Sequence, residues 1–380
     1  MIQWGYYYGT KGVHGMDRQF PRLEINMPRL RQNMEDVIGK CTRRGISVCG
    51  VIKGCSGLPE VAAQFLQCGC NELGTSRIEE VIRCRQAGVP GPYLLLRVPM
   101  ISELEDLVTW CDTSLQSDIT VLDALEAACC RLDKTHRVIM MVDLGDLREG
   151  FWNRDEFVSA CVYVEKNLPH VHLAGIGVNL GCYGSIQPTP DKMQNLLTIA
   201  HHVEARIGRQ LEVISGGASS SYTLVHWDTM PEGINHLRLG ECMLNAYDLQ
   251  VEWGIRNMNL HMDSFVLKAE VLEVRTKPSY PVGQVVIDAF GRRPTYVDRG
   301  NRKRCILGFG RADVGDMERL LPHDEGVIVL GGSSDHCILD IEDCPRNLKA
   351  GDIMDFSLSY NNMLYATSRN DVPIKFRYNE

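Results

Sequence analysis

From residue 28 to about 245, apolar positions alternate between two periods. Leu30, Met34, Val37, Ile38 and Cys41 recur at three- and four-residue steps behind Pro28, a favoured first-turn residue, and predict a helix that ends at Gly45. SVCGVIK follows as a β-rich run ending at Lys53. Seven comparable runs succeed it: GCNEL, YLLLRV, DTSLQ, RVIMMVDL, HLAGIGVN, LEVISGG and NHLRLG. Amphipathic segments over 58–68, 76–87, 121–133, 154–167 and 191–208 separate most of them. Continuous rather than alternating apolar runs belong to parallel strands covered on both faces. Eight such units predict a (β/α)8 barrel, with a doubly wound sheet as the structural alternative.

After Asn245 the texture changes. VLKAEVLEVRTK alternates, and VGQVVIDAF, RCILGFG, EGVIVLGG, HCILDI and DIMDFSLSY follow between Gly, Pro and Asp turns. Short strands with few helical patterns predict an all-β domain. The division expected is an extension over 1–21, a barrel over 22–245 and a β-domain over 246–380. Residues 1–20 show neither period, and no repeat or low-complexity tract occurs.

Composition narrows the function classes. The 380 residues carry a net charge of −8, with no Lys/Arg run to bind nucleic acid. No apolar stretch approaches the ~20 residues that span a bilayer. Fifteen cysteines, none spaced C-x-x-C and none clustered with histidine at zinc-ligand spacing, imply free thiols in a reducing cytoplasm and no metal site.

The candidate chemistry follows strand C-termini, where barrel enzymes keep their active sites. Lys53 closes an apolar run, and burial lowers a lysine's pKa, which favours Schiff-base chemistry. Alone, it reads equally as a lysine snorkelling to the rim. VDLGDLREG supplies Arg148 after the fifth strand, and GIGVNLGCYG supplies Asn179 after the sixth. SGGASSSY offers glycines and hydroxyls that can cradle a phosphate, or merely cap a helix, after the seventh strand; LRLGE closes the eighth. Arg238 sits within an apolar strand and needs a partner, a ligand being one option. Gly175-x-Gly177-x-x-x-Gly181 misses the dinucleotide fingerprint, which argues against a nicotinamide enzyme.

Taken in order, these motifs resemble the alanine-racemase-like enzymes dependent on pyridoxal phosphate, and more closely their ornithine-racemase branch, over residues 22–370. The resemblance implies that Lys53, in VIKGCSG, holds the cofactor, and that Arg148 lies beside the cofactor phenolate and the substrate carboxylate. It implies phosphate contacts from Ser219, Ser220, Gly240, Glu241 and Tyr360 and a ring-nitrogen contact from Arg238. Asn179 stands where the family usually has a histidine, and Gly57 where it has a tyrosine. It further implies racemisation of a basic amino acid by a proton-transfer group on each face, in a homodimer with shared sites. For the face opposite Lys53, His336 in SSDH is the foremost candidate beside Tyr280 and Cys182. Asp335, Asp288 or Asp298 would receive the substrate's cationic side chain. A decarboxylase of the same architecture and a non-catalytic carrier of the cofactor are the alternatives.

Overall fold

The computed structural model describes residues 19–379. The extension expected over 1–21 therefore lies mostly outside the described residues. Eight parallel strands close into a barrel: β2 (Ser47–Val51), β3 (Glu72–Thr75), β4 (Tyr93–Leu95), β5 (Thr113–Gln116), β6 (His136–Met141), β7 (Val171–Gly177), β8 (Val213–Ser215) and β9 (His236–Leu239). They coincide with the eight apolar runs. All five amphipathic segments are helical, as Pro59–Gln67, Ile78–Gln86, Ile119–Leu132, Arg154–Asn167 and Pro190–Ile207.

The helix Met27–Thr42 precedes the barrel. Asn26 caps it by accepting the Arg29 amide at 3.1 Å, and its Leu30, Met34, Val37, Ile38 and Cys41 are buried. This is the stripe read from the sequence, turned onto the barrel wall.

One departure concerns the strand that opens the chain's described part, β1 (Arg22–Asn26). It belongs to the C-terminal sheet rather than to the barrel it precedes. It pairs antiparallel with β10 (Phe265–Pro278), and parallel with β16 (Ile374–Arg377). Between those two come β11 (Asn301–Leu307), β12 (Leu321–Pro322), β13 (Ile328–Gly332), β14 (Cys337–Asp340) and β15 (Ile353–Ser357). β10 is the spine of the sheet: its first half pairs with β15 and its second with β11, across a register shift between Val271 and Glu273.

Two further expectations fail locally. VGQVVIDAF is not a strand; Val282, Val286 and Ile287 are exposed there and the run has no ladder partner among the described residues. DIMDFSLSY stays extended only through Ser357, because Ser359 accepts the Asn362 amide and opens a helix over Tyr360–Ser368.

Candidate active site

A cavity of about 770 Å³ lies at the C-terminal mouth of the barrel. Lys53, Arg148, Asn179, Ser219, Ser220, Arg238, Gly240, Glu241 and Tyr360, all singled out from the sequence, line it.

β2 ends at Val51, and Lys53 opens a single tight turn, Lys53–Cys55, that swings its amine into the cavity. Burial depresses the Lys53 pKa; the guanidiniums of Arg148 and Arg238 act in the same sense, while Cys182 and Glu149 oppose them. The turn leaves through Gly57, whose φ is +61° and whose missing Cβ would lie 2.6 Å from Glu80 Cβ. That close approach accounts for glycine where the family has a tyrosine.

Arg148 is held by its neighbour. Glu149 takes both Nε and, at 2.6 Å, Nη2 of the guanidinium. Burial alone would weaken that charge, but the bidentate carboxylate raises the arginine's pKa on balance. Glu149 itself lines the cavity, and no sequence signal singled it out.

The loop after β7 is shaped by a buried carboxylate, also missed in the sequence. Asp146 accepts the amides of Gly181 at 3.0 Å, Cys182 at 3.3 Å and Tyr183 at 3.1 Å, and the side chain of Asn179 at 3.5 Å. It thereby fixes Asn179 and Cys182 at the cavity wall.

Across the cavity, Ser219 Oγ accepts the amides of Gly240 at 3.2 Å and Cys242 at 3.4 Å, joining the loops after β8 and β9. A side chain on Gly240 would place its Cβ 2.8 Å from the Val51 carbonyl oxygen, so glycine is required for the loop to sit this deep. Ser220 donates to the Leu180 carbonyl at 2.7 Å. Glu241 is buried, and burial together with the nearby Asp248 pushes its carboxyl up to about 8. Its Oε1 accepts the Asp248 amide at 2.8 Å, and Asp248 in turn accepts the Tyr360 amide at 3.4 Å. Burial also keeps the Tyr360 phenol protonated by raising its pKa. Hydroxyls, amides and a neutral carboxyl therefore share one end of the cavity.

Arg238 is buried in the floor, where it donates to Ser215 Oγ and, at 2.8 Å, to the Val178 carbonyl. Its partners are thus neutral protein groups. Burial lowers its pKa.

The structure does not bring every candidate here. His336 and Asp335 are exposed at the turn between β13 and β14, where Ser333 and Ser334 are their neighbours. Tyr280 packs on Tyr296 with ring centroids 6.1 Å apart. Asp288 and Asp298 are spent on loop amides of their own segment. None of these five lines the cavity of this chain; Cys182 does.

A model of the alanine racemase N-terminal domain matches residues 25–248. A lysine racemase of Thermotoga maritima is 38% identical over 353 residues, covering 91% of this chain and 96% of its own length. An ornithine racemase of Acetoanaerobium sticklandii is 36% identical over 345 residues, with the same coverage of 91% and 96%. Among solved structures, an alanine racemase from D-cycloserine-producing Streptomyces lavendulae superposes with a TM-score of 0.70 at 17% identity, over 94% of this chain and 97% of that one. At that identity the superposition speaks for the fold: a barrel followed by a β-domain.

Proposed function

The chain belongs to the alanine racemase family, and from that premise we propose that it interconverts the enantiomers of a basic amino acid, lysine or ornithine, with pyridoxal phosphate held on Lys53. The observation that carries the reading is a lysine of depressed pKa set in a cavity whose opposite wall offers phosphate ligands. The residues suit the group. The hydroxyls of Ser219 and Tyr360 and the amide of Glu241 supply donors for a phosphate, Ser220 and Gly240 shape the loops that present them, and Glu241, neutral below about pH 8, does not repel it. A cavity of about 770 Å³ has room for cofactor and substrate together.

When bound, pyridoxal phosphate supplies an electron sink that acidifies the substrate's Cα–H. The protein does the rest. Lys53 would hold the cofactor, and its amine would move a proton on one face of Cα. Arg148, kept charged by Glu149, would receive the substrate carboxylate. Arg238 would present a positive charge to the bound ring and disfavour its protonation, restraining side reactions that need a stronger sink. Asn179 would flank the group from the loop after β7.

On the other face, Cys182 is within this chain's own cavity, whereas His336, and Asp335 as acceptor of the substrate's cationic side chain, would be delivered by a second copy. A homodimer is part of the proposal. The exposed apolar side chains of Val282, Val286 and Ile287, in one segment of the β-domain, support it, because exposed apolar surface beyond single scattered residues marks association sites. A cytoplasmic location fits fifteen free thiols, and no described helix is long and apolar enough to cross a membrane.

The test is a panel of single-enantiomer amino acids incubated with protein and added pyridoxal phosphate, resolved by chiral chromatography. Both enantiomers of lysine or ornithine should appear from either one. Carbon dioxide release without the second enantiomer would overturn the reading in favour of decarboxylation.

A further inference from the structure

Closed parallel barrels ordinarily fill their interior with branched aliphatic side chains. Here one side of the interior does so, with Leu94, Leu115, Ile139 and Met141 in one cluster. The other side carries Glu72, His236, Ser215 and Arg238. His236 and Arg238 are two residues apart on β9 and share a face; Ser215 on β8 is the register partner of His236. Glu72 on β3 and Arg238 on β9 are both register partners of Cys49.

The four side chains form one unbroken file. Glu72 Oε1 lies 2.9 Å from His236 Nε2, and His236 Nδ1 lies 2.8 Å from Ser215 Oγ, to which Arg238 Nη1 is bonded. A guanidinium only donates and a carboxylate only accepts, so both ends of the file are fixed. Arg238 donates to Ser215 Oγ and the Nε2–H of His236 donates to Glu72; in that tautomer Nδ1 accepts the Ser215 hydroxyl proton. Cys49, Glu72 and His236 also approach one another closely enough to chelate a cation, but both ring nitrogens are already engaged and the Arg238 charge stands beside them. The file is better read as wiring for that charge: among the described residues no carboxylate pairs directly with Arg238, Glu149 and Arg148 act on it through space in opposite senses, and Glu72 is the anion this chain of bonds reaches.

We propose that Glu72 and His236, which do not line the cavity, are positioning residues that act through Ser215 to orient Arg238 and offset its charge, and so set how strongly the cavity floor opposes protonation of a bound cofactor ring. The inference rests on the reading of Arg238 as the ring-nitrogen contact. Glu72→Gln keeps an acceptor for His236 and removes only the charge; Ser215→Ala cuts the file and leaves the Glu72–His236 pair in place.

Both variants and the parent are loaded with pyridoxal phosphate, the visible absorption band is titrated with pH, and conversion of the bound cofactor to its amine form is counted per racemisation event. With the floor more positive, ring protonation is disfavoured further, so the band's midpoint should fall by about half a pH unit and the abortive conversion should fall about threefold in both variants. Unchanged midpoint and partition in both would overturn the proposal. So would a change in Ser215→Ala with none in a folded Glu72→Gln, since the effect would then reside in the serine. If Glu72→Gln does not fold, Ser215→Ala decides: shifts of this size support the proposal, and their absence overturns it. A parent that develops no band at all refutes the Lys53 reading instead.

Discussion

Replacing Glu241 by glutamine isolates the energetic consequence of burying an acid beside a phosphate site. The unfolded chain releases this proton near the ordinary value of 4.5, the folded protein only near about 8. A raised folded-state pKa means that stability linked to this group is complete below pH 4.5, falls through the interval, and is lost above about 8. At ~1.4 kcal/mol per pH unit the interval sets a ceiling of about 5 kcal/mol. Water entry and relaxation around the ionised group bring the expected loss to about 2–3 kcal/mol. Glutamine keeps the acceptor for the Asp248 amide and cannot ionise. Urea denaturation of cofactor-free parent and Glu241→Gln from pH 5 to 9 measures the difference. The variant should gain steadily on the parent, by about 2–3 kcal/mol at the alkaline end. Glu80, also raised by burial but remote from Glu241, titrates in both proteins and drops out of the difference, whereas Asp248, which helps to raise Glu241, contributes to the gap in the same direction. Parallel curves at a constant gap would refute the reasoning.

Asp146→Ala should cost about 2–3 kcal/mol in denaturant melts, because it strands the amides of residues 181–183, and should raise KM by loosening Asn179 and Cys182. Arg148→Met removes a cation that lowers the Lys53 pKa, so the pH midpoint for cofactor uptake, followed by absorbance, should move upward. For the second proton-transfer group, Cys182→Ser and His336→Asn are compared by solvent-deuterium exchange at Cα from each enantiomer. Loss of about a hundredfold in one substrate direction only identifies the residue on that face, and loss in neither sends the search to Tyr280.

The barrel was legible because most strands are short runs rich in Val, Ile, Leu or Met, spaced between long helices that keep a 3.6-residue stripe; β3 (ELGT) and β5 (TSLQ) were placed by that spacing more than by their own composition. Lys53, Arg148 and Arg238 stood out as charges set among apolar residues at strand ends. Glu149 and Asp146 did not, since in VDLGDLREG they look like ordinary loop acids; only the fold turns one onto Arg148 and the other beneath Asn179. Glu72 and His236 are 164 positions apart and face one another only when β2, β3 and β9 close the barrel. The strand in VGQVVIDAF failed for the complementary reason: β-propensity without a neighbouring edge leaves a run unpaired. Arg22–Asn26 alternates as a strand should, but its pairing partners begin more than two hundred residues later, beyond what local pattern conveys.

That first strand makes the order of synthesis matter. Arg22–Asn26 sits between Phe265–Pro278 and Ile374–Arg377, so a polypeptide leaving the ribosome must keep these residues uncommitted until both of those strands have emerged. The barrel can close earlier, but the sheet is stitched from segments on either side of it. A protease cut near residue 245 would therefore release no independent C-terminal piece, because the severed part would still lack the strand Arg22–Asn26.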